Sequence, residues 1–391
     1  MLKSEAEIKR IALEGAEKCL DSQLLFLKNV SSVDCGTQDL EGNKKVVAFV
    51  EEELKKIDGI EIRHFEMPDY GIDIAAKLPC DGPKEKIILN AHTDTVFNHG
   101  TAETVPFRIE GDRAYGLGVG DCKGGIAVAI NAVRIAKENG LLPKDKEIVF
   151  MFNCDEEKGI EAGYRFFDSE LPADRAYVFE GAGENMEIIT GRKDRATFKI
   201  DVAGVRSHSG NAYTSGRSAV VEIAHRIQRL YENNDPENEI FFNFGPVISE
   251  DPLNVLSGHA SVLADVRVVS KASMEKAKEI VARVMAEPPY LDGTVTTFKC
   301  LKEAKRILER EEKNLKLYED AKKAARILDL GELGEKVSGG FGDVCYFSSM
   351  GCSAIDGLGP IAENIHNTGE SISIKSLKER TALFVVMLAM M

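Results

Sequence analysis

Short apolar runs alternate with helical patterns along the first half of the chain. Apolar residues recur at helical spacing over residues 3–29 and 44–57, which predicts one or two helices followed by another. Helices are also predicted over residues 124–140, with Gly140 as the stop, and over residues 161–170. Strands are predicted at IEIRHFEM, IDIAAKLP, KIILNAH, KEIVFMFN and AYVFEG. Strands that alternate with helices predict a mostly parallel sheet that is covered on both faces.

From about Gly191 the order of the predicted elements changes. A strand, a helix, two strands, a helix and a strand are predicted at ATFKIDVAGV, SGRSAVVEIAHRIQRLYENN, FFNFGPVIS, SVLADVRVV, KASMEKAKEIVARVMAE and TVTTFKC. This β-α-β-β-α-β order is that of a small split-βαβ domain. The earlier alternation resumes at residues 314–330, so the first domain is predicted to be discontinuous. We expect an α/β catalytic domain with a mixed, mostly parallel sheet over residues 1–192 and 304–391, and an inserted α+β, ferredoxin-like lid or dimerisation domain over residues 193–303.

Length and composition limit the classes of protein to be considered. A chain of 391 residues exceeds what one hydrophobic core normally serves, which also favours two domains. A net charge of −14 and a pI of about 5.2 argue against binding to nucleic acid or to an anionic membrane.

The eight cysteines lack CxxC spacing, which favours a reducing cytoplasm over a disulfide framework. The start MLKSEAEIKR lacks the apolar core of a signal peptide, and TALFVVMLAMM at the other end is too short for a bilayer span, so it is predicted to be a buried helix.

Side chains that can bind metal follow several of the predicted strands. His92 and Asp94 end the strand EKIILNAH, and residues i and i+2 of an extended segment point to the same face. Glu156 and Glu157 follow the strand EIVFMFN, and Glu180 follows AYVF. Ligands of open α/β sheets bind outside the carboxyl ends of the strands, so these side chains are expected to lie together.

Two further candidates lie outside the strands. Asp121 lies in the glycine-rich run GLGVGDCKGG, whose backbone can turn tightly and bring a carboxylate close to a ligand. His366 lies in the polar segment AENIHNTGE. A His-x-Asp pair is by itself more often a capped strand end than a metal site, and an acidic pair is more often solvated surface. Only the combination of these residues predicts a metal centre.

The chain resembles the M20 family of zinc peptidases and deacylases in five motifs that occur in the family's order: HTD at 92–94, GVGDCKGG around Asp121, DEEKG at 155–159, FEG with Glu180, and His366. The resemblance extends over nearly the whole chain and is greatest to the glutamate carboxypeptidase branch. It implies two zinc ions, one of them bound by His92 and Glu180. The other is bound by Glu157 and His366, and Asp121 bridges the two. Imidazole and carboxylate suit zinc, with cobalt or manganese as substitutes, and a bridging carboxylate keeps two metals roughly 3.5–4 Å apart.

The resemblance also assigns roles to other residues of these motifs. Neighbours in an extended segment point in opposite directions, so only one of Glu156 and Glu157 is expected to bind metal. By resemblance the other, Glu156, is the general base that takes a proton from the attacking water and passes it to the leaving amine. Asp94, by resemblance, holds the His92 ring and fixes its tautomer. Glutamate at the position of Glu180 accompanies carboxypeptidases and deacylases in the family, whereas aspartate accompanies aminopeptidases and tripeptidases.

By resemblance, residues that contact substrate lie mainly in the predicted lid. His208 in SHSGN corresponds to a histidine that reaches the substrate carbonyl oxygen, often across a dimer, where it would stabilise an oxyanion. Without the resemblance, SHSGN indicates a capped turn. Asn254 and Arg267 match positions that contact substrate, and arginine suits a bidentate grip on a carboxylate. Gly340 lies in a substrate-facing glycine turn, and Asp343 in the same turn is a lesser candidate.

These features predict a dinuclear zinc hydrolase that cleaves the amide bond of a peptide or an N-acyl amino acid with a free carboxylate, as a carboxypeptidase does. An N-acyl diamino acid deacylase, of the acetylornithine or succinyl-diaminopimelate type, would use the same centre with a different pocket. A tripeptidase or aminopeptidase and a non-catalytic metal- or peptide-binding protein are the remaining alternatives. FKCLKEAKR offers no clear match for the arginine with which the glutamate carboxypeptidase branch grips the substrate α-carboxylate. The identity of the substrate is therefore open, and a homodimer through the lid is expected by resemblance.

Overall fold

The computed structural model describes residues 3–80, 82–159 and 163–391. These residues form two compact units. The first unit consists of the described residues within Met1–Gly191, Arg310–Val337 and Gly342–Met391. The second consists of Arg192–Glu309 and Ser338–Phe341. That residues 193–303 serve as a lid or dimerisation domain stays a proposal.

Helices and strands alternate along most of the described chain. The helices are α1 (Glu5–Ser31), α2 (Leu40–Leu54), α3 (Thr101–Thr104), α4 (Gly124–Glu138), α5 (Tyr164–Asp168), α6 (Ala219–Tyr231), α7 (Lys271–Ala286), α8 (Glu312–Leu328), α9 (Asp343–Ser349) and α10 (Ile374–Met390). The strands are β1 (Glu61–Met67), β2 (Gly71–Leu78), β3 (Glu85–His92), β4 (Arg108–Glu110), β5 (Arg113–Tyr115), β6 (Lys146–Asn153), β7 (Arg175–Val178), β8 (Ile188–Arg192), β9 (Asp194–Ala203), β10 (Ser207–His208), β11 (Phe241–Ile248), β12 (Val255–Leu256), β13 (His259–Val268), β14 (Val295–Lys302), β15 (Glu335–Ser338), β16 (Ser353–Ile355), β17 (Ala362–Glu363) and β18 (Ser371–Ser373). Short helical turns at Val119–Lys123 and Glu156–Lys158 carry three of the predicted site residues.

The first unit is built on a six-stranded sheet of order β1-β2-β6-β3-β7-β16. β6, β3, β7 and β16 are parallel neighbours, whereas β1 and β2 join the sheet antiparallel. All eight residues of β6 are buried, as expected of a central strand with helices on both faces of the sheet. The predicted α/β fold with a mixed, mostly parallel sheet is confirmed.

Helices α1, α4 and α10 pack against one another in the core of the first unit. The buried Gln23 side chain of α1 donates to the Ala127 carbonyl of α4 at 3.2 Å and to the Thr381 hydroxyl of α10 at 2.9 Å. α10 contains the apolar C-terminal run, and its residues 381–388 are buried, as predicted. Among the described residues, none of the helices has the length and apolar character that a bilayer span needs.

The second unit has a four-stranded antiparallel sheet of order β11-β13-β9-β14, against which α6 and α7 pack. Its longer elements follow one another as strand, helix, two strands, helix and strand, which is the order that the sequence pattern indicates. α6 begins after Ser218, whose hydroxyl accepts the main-chain N–H of Val221. Ala219, Ile223 and Leu230 of this helix enter the apolar core of the unit.

The start of the chain, predicted to form one helix or two, forms the single helix Glu5–Ser31, which begins after Ser4, whose side chain accepts the main-chain N–H of Glu7 at 3.3 Å. Two local features differ from the pattern. The helix predicted at 161–170 is shorter, at Tyr164–Asp168, and residues 161 and 162 lie outside the described residues. A small antiparallel sheet of β17, β18, β5 and β4 was not predicted, because its strands have only two or three residues each.

Candidate metal centre

Three parallel strands bring candidate residues to one edge of the sheet. His92 is the last residue of β3. Glu156 and Glu157 lie in the helical turn that follows β6, and Glu180 lies just beyond the end of β7. Because β3 lies between β6 and β7 and runs parallel to both, these carboxyl ends meet.

Asp121 lies in the turn Val119–Lys123, immediately before α4. The start of α4 approaches the end of β7 closely, because a Cβ at Gly125 would lie 1.8 Å from the carbonyl oxygen of Phe179. Only glycine permits this approach. The close contact expected of the glycine-rich run is therefore present, and it places Asp121 at the sheet edge that carries Glu180.

The Asp121 loop is held by Glu370, a residue that the sequence pattern did not indicate. The buried Glu370 carboxylate accepts the main-chain N–H groups of Gly118, Gly120 and Asp121 at 3.1, 2.7 and 3.0 Å. Burial raises the pKa of Glu370 to about 7, against the effect of these N–H groups. Its position in the same polar segment as His366 is the one sequence signal that could have singled it out.

The five predicted metal ligands lie close together. The two oxygens of Asp121 face different histidines, with Oδ1 2.8 Å from His92 Nε2 and Oδ2 2.9 Å from His366 Nε2. Each histidine also lies near a second carboxylate. Glu180 Oε1 lies 3.5 Å from His92 Nε2, and Glu157 Oε2 lies 3.2 Å from His366 Nε2. The arrangement has the form of two adjacent positions joined by one carboxylate.

Burial and mutual contact shift the proton affinities of these groups. Burial raises the pKa of Glu157 to about 7 and that of Glu180 well above its usual range. The hydrogen bond to Asp121 raises the pKa of His366 to about 9. Burial opposes the charging of His92, but anionic neighbours and hydrogen bonds raise its pKa well above the usual value. Burial would likewise raise the pKa of Asp121, yet hydrogen bonds from the two histidines lower it.

The donor set fits divalent metal ions. Buried carboxylates are costly unless positive charge compensates them, and in this cluster protonated histidines provide that charge. Ligand atoms of His92, Asp121 and Glu157 all lie within 4.8 Å of one another. Imidazole nitrogen and carboxylate oxygen are the ligands that zinc shares with cobalt and manganese. Metal ions could therefore replace the protons of the cluster without a change in its side chains.

Asp94 contacts the other ring nitrogen of His92. His92 Nδ1 lies 3.1 Å from the main-chain oxygen of Asp94 and 3.2 Å from its Oδ1, while Nε2 faces Asp121. Asp94 also accepts the main-chain N–H groups of Glu156 and Glu157, both at 3.3 Å. A carboxylate at Nδ1 fixes the tautomer that leaves Nε2 for a metal, which is the geometry that the role expected of Asp94 requires.

Glu156 lies next to Glu157 and beside the ligand cluster. Burial raises the pKa of Glu156 to about 8, with a smaller contribution from Asp121 and against the effect of His92. Asp343 is fully buried at the start of α9, where burial and then the charge of Glu156 raise its pKa well above the usual range. A carboxylate with raised proton affinity beside a metal centre has the property that a general base needs near neutral pH.

Cys122 is a further neighbour of the centre that the sequence pattern did not indicate. Its Sγ accepts the main-chain N–H of His92 at 3.1 Å. Its sulfur also lies within 4.8 Å of ligand atoms of His92 and Glu180. The thiol is fully buried, and burial raises its pKa well above the usual value. Cys122 therefore lies against the centre as a neutral thiol that holds the end of β3.

Two of the predicted substrate-binding residues lie together at one place in the second unit. The main-chain N–H of Ser209 donates to the Asn254 carbonyl at 2.9 Å, next to the pairing of β10 with β12. His208 Nδ1 accepts the N–H groups of Gly210 and Asn211, both at 3.1 Å. This is the capped turn that SHSGN indicates by itself. It also requires that the proton of the neutral ring lies on Nε2.

The other two predicted substrate-binding residues lie at a second place in that unit. Arg267 donates to the Gly339 carbonyl at 3.4 Å and to Asp265 at 3.3 Å. The Gly340 carbonyl accepts a hydrogen bond from Arg192 at 3.3 Å. Two guanidinium groups thus hold the glycine turn at residues 338–341.

Comparison with known proteins accounts for the clustered motifs. Residues 88–390 match the description of peptidase family M20/M25/M40. The chain belongs to this family. As an M20 protein it is a hydrolase of the metallopeptidase and amidohydrolase type, and members of the family depend on metal ions. The matched residues include all five of the clustered ligand candidates, together with Asp94 and Glu156.

Two relatives and one solved structure are similar to this chain over most of its length. Carboxypeptidase G2 of Pseudomonas sp. (strain RS-16) is 28% identical over 363 residues, which cover 90% of this chain and 85% of that protein. Acetylornithine deacetylase of Aliivibrio salmonicida (strain LFI1238) is 27% identical over 268 residues, which cover 65% of this chain and 68% of that protein. The structure of aminopeptidase PepT from Bacillus cereus ATCC 10987 superposes with a TM-score of 0.79 at 21% identity, covering 96% of this chain and 98% of that one. The resemblance to the M20 family and the fold class are both confirmed.

Proposed function

We propose that this M20 protein is a dinuclear zinc hydrolase that cleaves the amide bond of a peptide or an N-acyl amino acid with a free carboxylate. The observation that carries the proposal is the position of Asp121, whose two oxygens face two different histidines. One zinc position would then have His92 and Glu180 as its further ligands. The other would have Glu157 and His366. Similarity to carboxypeptidase G2 over 90% of the chain supports the carboxypeptidase-like choice.

Glu156 and Asp94 have different roles in the proposed reaction. When bound at the two positions by the candidate ligands, zinc would supply Lewis acidity and would lower the pKa of a water molecule toward ~7. Glu156 accepts a proton from the attacking water as the new C–O bond forms, and delivers it to the amide nitrogen as the C–N bond breaks. Asp94 holds His92 through Nδ1, so that the Nε2 lone pair stays directed at the ligand position.

The second unit supplies the proposed substrate contacts. We assign to His208, whose Nε2 carries the proton in the neutral ring, the donation of a hydrogen bond to the carbonyl oxygen as it becomes an oxyanion. Asn254 is assigned to a polar group of the substrate. Arg267 and the turn at Gly340 are assigned to its free carboxylate, because guanidinium and main-chain N–H groups both donate to carboxylate oxygens.

A second candidate activity is the deacylation of N-acyl diamino acids. It is favoured by the similarity to acetylornithine deacetylase, which covers 65% of this chain. Both activities leave an amino acid product and use the same cleavage chemistry, so they differ in the side chain and the acyl group that the pocket accepts. A tripeptidase or aminopeptidase is less favoured, because Glu180, and not an aspartate, stands at the centre. A non-catalytic protein is less favoured, because the proposed base Glu156 also stands there.

Metal content and substrate preference test the proposal together. Protein freed of metal with a chelator is reconstituted with zinc, cobalt or manganese, and bound metal is measured by elemental analysis. We expect two equivalents of metal, and metal-dependent hydrolysis of N-acyl amino acids in a panel that also contains folyl-type, N-acetyl and N-succinyl diamino acid substrates. A preference for free-amino tripeptides over N-blocked substrates would contradict the carboxypeptidase-like choice. Binding of one equivalent or less would contradict the dinuclear centre.

We also propose a homodimer formed through the second unit and a cytoplasmic location. Helix α6 exposes Val220 and Val221 to solvent by 40% and 44%, which supports an association surface on this unit. Sedimentation velocity distinguishes a dimer from a monomer.

The proposed cytoplasmic location is supported by the buried Cys19 and Cys35, which form no disulfide, as is usual in a reducing compartment.

A further inference from the structure

Residues 35–38, named here the 35–38 segment, run beside the residues that follow β3. The N–H of Thr95 donates to the Cys35 carbonyl at 2.8 Å, and the N–H of Thr37 donates to the Thr95 carbonyl at 3.2 Å. Gly36 and Thr95 form an isolated parallel bridge between these bonds. The segment therefore pairs with the chain just beyond the end of β3, although it precedes the residues that match the family description.

The side chain of Thr37 reaches from this segment to Asp94. Its hydroxyl donates to Asp94 Oδ2 at 2.5 Å, and the N–H of Glu157 donates to the same oxygen at 3.3 Å. The other oxygen, Oδ1, faces His92 Nδ1 at 3.2 Å and accepts the N–H of Glu156 at 3.3 Å. Each oxygen of the carboxylate thus has two donors, which uses its roughly four lone-pair sites. The contact with Thr37 is the shortest of the four.

A second contact joins the 35–38 segment to the turn that carries Glu156. Lys158 Nζ donates to Gln38 Oε1 at 2.9 Å. Gln38 has a φ of 79°, a left-handed conformation that a residue with a side chain rarely adopts. The segment therefore contacts both the strand end that carries His92 and the turn that carries the proposed base.

We propose that Thr37 is a positioning residue of the hydrolase, and that its hydroxyl orients the Asp94 carboxylate. This inference rests on the proposed function, because Thr37 acts through residues that have roles there. Without the hydroxyl, the N–H of Glu157 is the one donor that the described residues leave at Oδ2, and the carboxylate can rotate toward water. His92 Nε2 and Glu156 then lose their alignment, which slows turnover and weakens metal binding without loss of a substrate contact.

The test compares two substitutions that differ in the hydroxyl. Thr37→Val keeps the branched shape and removes the hydroxyl, and we expect it to lower both kcat and zinc affinity by about 10- to 100-fold, with little change in KM. Thr37→Ser keeps the hydroxyl and should restore most of both quantities. Zinc affinity is measured by competition with a chromogenic chelator. Thr104→Val is the matched control, because its exposed hydroxyl donates to the Thr101 carbonyl of the same short helix, away from the candidate centre, and it should behave as wild type.

Two results would overturn the inference. One is a T37V protein with wild-type kcat and zinc affinity. The other is a T37S protein as impaired as T37V, because that result assigns the effect to packing and not to the hydroxyl. If T37V unfolds at a much lower temperature than wild type, T37A takes its place in the same comparison. Wild-type protein that neither binds zinc nor hydrolyses any substrate would instead contradict the proposed function.

Discussion

Glu370 accepts the main-chain N–H of Asp121 at 3.0 Å, although 249 residues separate the two in the chain. The same carboxylate accepts the N–H groups of Gly118 and Gly120. His366, which faces the other side of the centre, lies on the same C-terminal segment as Glu370 and has a left-handed φ of 63°. The loop of Asp121 and the segment of His366 are thus joined by one side chain.

Replacement of Glu370 should therefore weaken both the fold and the metal centre. Glu370→Ala leaves three main-chain N–H groups without their acceptor, and each buried unsatisfied group costs about 1–3 kcal/mol. We expect a free energy of unfolding lower by about 3 kcal/mol or more in urea titrations of zinc-loaded protein, together with partial loss of zinc. Glu370→Gln keeps one acceptor oxygen and should lie between Ala and wild type. Equal stability of all three proteins would show that the loop does not depend on this carboxylate.

Replacement of Glu156 and of Glu157 by glutamine should affect different properties, turnover in the first case and zinc content in the second. Glu156→Gln removes the proposed base, so kcat should fall by about 10²- to 10⁴-fold while the zinc content stays at the wild-type level. Glu157→Gln removes a proposed ligand, so the zinc content should fall from two equivalents toward one. Each variant serves as the control for the other, with kcat and elemental analysis measured on the same samples. Full turnover of metal-replete E156Q would remove the base assignment.

The stability of the metal-free protein should fall as pH rises. Glu157 has its pKa raised from 4.5 to about 7, so the stability linked to its proton is present below pH 4.5 and is lost as pH rises through 7. His366 has its pKa raised from 6.5 to about 9, so its contribution is present below pH 6.5 and is lost through pH 9. Asp121 has a lowered pKa, and its contribution is constant over this range.

Thermal unfolding between about pH 5 and 9, with chelator and with zinc, checks this expectation. The Tm in chelator should decrease across the range, whereas zinc should stabilise the protein increasingly as pH rises, because zinc and protons compete for the same side chains. Glu157→Gln should make the decrease between pH 4.5 and about 7 smaller, and His366→Gln the decrease between pH 6.5 and about 9, because the pKa values of Glu370 and Glu156, raised to about 7 and about 8, account for a further part. A Tm that rises with pH in chelator would contradict the proton affinities described for the cluster.

The clustering of these candidate side chains could be predicted because strand ends are visible in a sequence. At His92, Glu156 and Glu180 an apolar run gives way to polar residues, and parallel neighbours bring such ends together. Thr37 and Glu370 could not be predicted in this way. Each lies in a polar segment without periodicity, where a residue that contacts the centre has the same local pattern as one that faces water. Their partners lie 57 and 249 residues away along the chain, so only the folded structure shows the contacts.

The prediction of the fold had the same physical limit. Strands such as β6 and β13 have eight and ten residues, long enough for an apolar pattern to be recognised. Strands β10 and β12 have two residues each, and their pairing depends on neighbours rather than on a pattern of their own. The turn at His208 was therefore indicated only by its serine and glycine residues.

A buried ion pair should contribute strongly to the free energy of unfolding of the second unit. Glu222 and Arg226 contact each other at 2.8 Å with side chains that are 0% and 2% exposed, and Glu222 also accepts the N–H of Leu291 at 2.9 Å. Glu222→Ala leaves the guanidinium buried without its counter-charge, so the free energy of unfolding should fall by about 3–5 kcal/mol in urea titrations. Replacement of both side chains, with Glu222→Leu and Arg226→Met together, should recover much of this loss, because no uncompensated charge stays buried. If the double variant were less stable than E222A, the hydrogen bonds from Arg226 to main-chain carbonyls, such as that of Val284 at 2.7 Å, would be the larger contribution.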